Sequence, residues 1–189
     1  PLRQSIGAAA KTTALKQYSQ IAIVNNELRP WLEGLLPQTH PKPKCRILSL
    51  NVYYSPQSFG GATLVAEQLN NWLVSEGDLE VGVLCLIPDG IGGGKSLHRY
   101  TVNGVQVFGV PAALAKNDRG GSSEASSEAL LEQFAAVLDG FAPDLIHVHS
   151  IQGIGIDVLD RARQRNIPYV ITLHDAWWLC PRQFMPTTE

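Results

Sequence analysis

Cysteine is scarce and poorly placed for cross-linking: Cys45, Cys85 and Cys180 are an odd number, far apart, with no C-x-x-C pair. That excludes a disulfide framework and a zinc knuckle. Charge of one sign is lacking too, with a formal net charge of −2, no basic run and no interleaving of basic and aromatic residues. Nucleic-acid binders carry a basic footprint, so no nucleic acid is expected as a partner. No apolar stretch approaches the roughly 18 residues needed to span a bilayer, and the N-terminus has no charged-then-apolar leader. The single methionine is Met185, near the last residue rather than the first. The sequence therefore reads as a piece of a longer protein.

What is present suits a folded enzyme-sized domain. Of 189 residues 44% are apolar and 17% charged, enough for a sizeable core in one domain with a short appendage. Cys85 lies within an apolar run, 81–87, and reads as a small buried hydrophobe. Reduced thiols point to the cytosol.

Residues 1–44 read as an extension separate from a domain at 45–189. Within the extension Ile21, Val24, Leu28, Trp31, Leu32 and Leu35 recur at helical spacing, interrupted by Pro30, and a proline-stiffened linker follows at 37–44. After it the pattern becomes regular. Strands are expected at 46–52, 80–87, 144–149 and 169–173, and helices at 62–76, around Leu130–Phe141 and at 154–165. The first helix should bury Val65, Leu69, Trp72 and Leu73 and stop at Gly77. Residues 97–110 should form a hairpin about Asn103-Gly104, and 116–127 a Gly/Ser-rich loop. Strands alternating with helices imply a Rossmann-like α/β fold, a parallel sheet with helices on both faces.

In such sheets ligands bind beyond the carboxyl ends of the strands, which singles out three segments. The first runs from Tyr53 to Gly61 and leads directly into a helix. Gly60 and Gly61 either leave backbone N–H groups open to an anion at the helix start or serve only a tight turn. The dinucleotide fingerprint G-x-G-x-x-G is absent, and Gly90–Ser96 falls one residue short of a P-loop and precedes a hairpin, so it reads as a surface loop. The second segment is His147-Val148-His149-Ser150. Residues two apart on a strand share a face, so the histidines either bind a metal jointly or sit hydrogen-bonded in the core. His149, nearer the strand end, is the better functional candidate. The third is Thr172-Leu173-His174-Asp175-Ala176-Trp177-Trp178. A histidine and carboxylate beside two indoles suit a sugar, whose hydroxyls take hydrogen bonds and whose C–H faces stack on aromatic rings. The alternative is a strand end capped by Asp175 with the tryptophans in the core.

Taken in order, ILSLNVYYSPQSFGGATLVAEQLNNWLVSEG, APDLIHVHS and IPYVITLHDAWWLCP resemble the N-terminal domain of the retaining glycosyltransferase family 4, of GT-B architecture. The resemblance runs from about Cys45 to the end. It implies an enzyme moving a sugar from a nucleoside diphosphate sugar to a glycan or lipid-linked acceptor. The enzyme would be cytoplasmic or peripheral at the cytoplasmic face of a membrane, and would work without a metal or other cofactor. By position, Gly60 and Gly61 would cover the donor diphosphate and His174 would sit beside the transferred sugar with Asp175 next to it. His149, Ser150 and Trp177 would line the cleft on the substrate side. The family's donor site lies mostly in a second domain with a Glu-x₇-Glu motif, and nothing of that kind follows His174 in these 189 residues. By itself this chain is expected to be inactive. A non-catalytic α/β binding domain and a metal-dependent hydrolase built on His147 and His149 are the rival readings.

Overall fold

The computed structural model describes residues 2–17, 28, 45–88, 96–115 and 126–178. The chain divides into two compact units, Pro1–Pro41 and Lys42–Glu189. In the first, helix α1 spans Leu2–Gln17, a stretch rich in alanine and unbranched side chains. It has the propensity of a helix without an apolar stripe, so periodicity did not reveal it. The helix expected between Ile21 and Leu35 lies outside the described residues except at Leu28, and the linker 37–44 lies wholly outside them.

The second unit is built on six strands: β1 (Cys45–Asn51), β2 (Leu79–Ile87), β3 (His98–Val102), β4 (Val105–Pro111), β5 (Leu145–Ser150) and β6 (Tyr169–Ile171). Their order across the sheet is β3-β4-β2-β1-β5-β6. Every neighbouring pair is parallel except β3 with β4. That pair is the expected hairpin; Asn103 and Gly104 both take positive φ, 50° and 83°, as a two-residue turn requires. Helices α2 (Gly61–Ser75), α3 (Ala112–Ala115, a single turn), α4 (Glu128–Phe141) and α5 (Asp157–Gln164) complete the unit. Of these, only the single turn α3 escaped the sequence reading.

Strand alternation sorts the apolar residues onto two faces. Leu48, Leu84, Phe108 and Ile146 belong to one core cluster with Phe134 and Val137 of α4 and Val158 and Ala162 of α5. Ser127 caps α4 by accepting from the Leu130 N–H at 3.1 Å. The alternate residues, among them Ser49, Cys85, His147 and His149, face the other way, where α2 packs on β1, β2 and β5. The sheet is therefore covered on both faces.

Two expectations need correction. The buried stripe of α2 is Thr63, Ala66, Asn70 and Leu73, whereas Val65 is 38% exposed. Hydrophobicity alone misplaced the stripe, because the half of the sheet beneath α2 carries Ser49, Asn51, His147 and His149, all buried, and is met by small and polar residues. The last strand ends at Ile171 rather than Leu173. The Thr172 N–H still donates to the Val148 carbonyl at 2.8 Å, after which the chain leaves the sheet and Leu173 is 64% exposed.

Candidate functional site

The three suspected segments all lie at the carboxyl ends of parallel strands. The first follows β1 and is held from several directions. Tyr54 is buried, Ser58 donates to the Glu67 carboxylate, and the Tyr100 hydroxyl donates to the Ser55 carbonyl at 3.0 Å. The Thr63 hydroxyl lies 2.6 Å from the Phe59 carbonyl oxygen and 3.0 Å from that of Gly60, pinning the loop to the first turn of α2.

Gly60 and Gly61 are both exposed where α2 begins, and no side chain caps the helix there. They differ in what the backbone asks of them. Gly60 sits at φ 84°, ψ 163°, a region essentially reserved for glycine. Gly61 shows no positive φ, and a Cβ placed on it meets nothing within 4 Å among the described residues. The turn explains Gly60, and nothing among the described residues explains Gly61.

The second and third segments meet in a row of three imidazoles. The His147 and His149 rings share a face of β5, with centroids 4.0 Å apart. His149 stacks on His174, with centroids 5.2 Å apart and planes 26° from parallel, and its Nδ1 lies 3.0 Å from Nε2 of His174. At the inner end Nε2 of His147 lies 2.8 Å from the Thr172 hydroxyl. The two inner rings are 2% and 1% exposed, while His174 is only half-buried. His149 therefore reaches the exterior by way of His174. His149 Nδ1 and His174 Nε2 are engaged with each other and His147 Nε2 with Thr172, so these nitrogens do not converge on a common point. Among the described residues no group of three His, Cys, Asp or Glu side chains could hold a metal ion.

Burial makes all three rings hard to protonate. Burial and then the proximity of His174 bring His147 down to about 4, from 6.5. His149 is held well below its ordinary value, first by burial and then by both neighbouring rings. Burial also lowers His174, against an opposing pull from the Asp175 carboxylate. The row is thus neutral at neutral pH. Stability should follow. The unfolded chain binds the proton on His147 below 6.5 and the folded chain only near 4, so stability is complete above 6.5 and falls as pH drops through that window. His147 alone should cost roughly 3 kcal/mol by the bottom of it. Urea midpoints across that range check this, and His147→Asn should flatten the acid limb.

Asp175 is exposed at a bend just before the 3₁₀ turn Ala176–Trp178. Ser150 is buried and pairs in register with Asn51. Trp178 packs against the core cluster, as the alternative reading of the indoles required, while the side chain of Trp177 lies outside the described residues. Cys180 and Gly90–Lys95 also lie outside them. Cys85 is a buried thiol, pushed up to about 12 by desolvation, the inert small hydrophobe expected of it. His147 was passed over in favour of His149; the period of two in LIHVHS was the signal that both rings would stand together.

These features define an α/β domain of the open, parallel-sheet class, with its polar cluster and an uncapped helix start at the carboxyl ends of the strands. Residues 60–187 match the glycosyl transferase 4-like domain. The chain belongs to that family. No curated protein matches it in sequence. Among solved structures it is similar to a sucrose-phosphate synthase from Thermosynechococcus elongatus, at 14% identity and a TM-score of 0.49, over 76% of this chain and 37% of that one. It is also similar to a trehalose-6-phosphate structure from E. coli bound with UDP-2-fluoro glucose, at 8% identity and a TM-score of 0.39, over 68% and 32%. The chain thus spans about a third of the length of these structures. No described helix is long and apolar enough to cross a membrane.

Proposed function

We propose that this chain is the acceptor-side half of a GT-B glycosyltransferase that moves a sugar from a nucleoside diphosphate sugar to a glycan or lipid-linked acceptor, with retention at the anomeric carbon. The observation that carries the reading is Gly61, a glycine with open space over it at an uncapped helix start, inside the family match. Backbone N–H groups at such a position suit the donor diphosphate, which a side chain would hold away. His174 contributes a neutral, half-exposed imidazole beside the transferred sugar, with Asp175 next to it. Ser150 and Trp177 belong to the substrate side of the same cleft. The work of catalysis is positioning and stabilisation of the departing diphosphate, tasks that need no bound metal.

The test is sugar transfer by a polypeptide joining this chain to a donor-binding domain, with a chelator present. Release of nucleoside diphosphate matched by a new glycosidic bond is the expected result, with none from the 189-residue chain alone. Tight nucleotide-sugar binding without turnover on any acceptor would favour a binding domain instead. Activity that disappears with the chelator would overturn the metal-free part of the proposal.

A further inference from the structure

One nitrogen of the histidine row, Nε2 of His149, is buried without a hydrogen-bond partner among the described residues. A neutral imidazole carries one N–H and one lone pair, so this orphan constrains where the protons sit along the row. In the 3.0 Å contact between His149 Nδ1 and His174 Nε2, one ring donates and the other accepts. If His174 donated, the proton of His149 would stand on Nε2, an N–H buried with nothing to receive it. If His149 donates from Nδ1, its Nε2 holds only a lone pair, and the proton of His174 must stand on Nδ1. An orphaned buried N–H is the rarer and costlier defect, so the second arrangement wins.

We infer that His149 is locked with its proton on Nδ1 and thereby locks His174 with its proton on Nδ1, so that His174 meets its ligand as a hydrogen-bond donor. His149 is then a positioning residue: 1% exposed, it acts on the ligand only through the tautomer it imposes. An Nδ1–H favours an oxygen with lone pairs to offer, such as a sugar hydroxyl or a phosphate oxygen, and disfavours a ligand group that can only donate. That the ligand is a donor sugar rests on the function proposed above; the tautomer lock does not.

The experiment is two-bond ¹H–¹⁵N correlation on the complete 189-residue chain, ¹⁵N-labelled at its five histidines, at neutral pH. Nitrogen shifts tell a protonated from an unprotonated position on each ring. His149 and His174 should both show N–H at Nδ1. In His149→Leu, His174 should move to the Nε2–H form that imidazole prefers in water. In His149→Asn, where an amide N–H takes the place of Nδ1–H, His174 should keep its proton on Nδ1. A proton on Nε2 of His149, averaging between forms at either ring, or an unchanged His174 in the leucine variant would each overturn the inference. If the leucine variant does not fold, the wild-type spectrum decides alone. No turnover is measured, so a failed transfer assay and a failed lock remain separate results.

Discussion

On the function proposed above, replacing His174 by alanine in the complete enzyme should lower kcat per folded molecule by about 10²–10³, the usual loss when one preorganised donor to a developing charge is removed. The structure sharpens the expectation. His174 is only half-buried and lies beyond the end of β6, so truncating it empties little core. Stability should fall by no more than roughly 1–3 kcal/mol, the cost of leaving the His149 Nδ1–H without its acceptor. Early melting with normal turnover after correction for folded fraction would make His174 a structural residue and remove it from the site.

Gly61→Val should do the reverse of what a fold-determining glycine does. The added Cβ meets nothing within 4 Å among the described residues and the backbone is not strained there, so stability should hold. Donor KM should rise about 10–100-fold, the equivalent of losing one or two charge-assisted hydrogen bonds to a phosphate. Gly60→Ala is the instructive comparison. At φ 84°, ψ 163° it forces an L side chain into strained backbone and should cost about 1–3 kcal/mol of stability. Chemical denaturation beside donor titration separates the two glycines. Unchanged donor binding in Gly61→Val would leave the diphosphate without its proposed seat.

Most of the architecture was legible because it is written in periodicity. LIHVHS and the run 81–87 read as buried strands, Asn103-Gly104 named its own turn, and Gly77 stopped α2 at φ 83°. The buried face of α2 was not legible, because it answers to polar residues on another element rather than to its own hydrophobicity. Helix α1 was missed because propensity without amphipathicity leaves no periodic mark. At the site, residue types and their placement at strand ends could be read, but their contacts could not. Residues 25 apart in sequence, His149 and His174, touch only because β5 and β6 are neighbours in the sheet, and no local pattern records that adjacency. The different duties of Gly60 and Gly61 were likewise hidden, since the letters are identical and only the dihedrals distinguish them.

The central place of β1 sets a timetable for synthesis. On one side it pairs with β2, made soon after it, and on the other with β5, where the Arg46 N–H donates to the Asp144 carboxylate across 98 residues at 2.9 Å. A ribosome adding about 5–20 residues per second leaves β1 with one open edge for about 5–20 seconds. During that wait the α4 side of the growing sheet is uncovered as well, since α4 begins only at Glu128. The nascent chain is thus most exposed to misassociation just before residue 150 emerges, and an N-terminal fragment ending before β5 should be a chaperone client rather than a small stable domain.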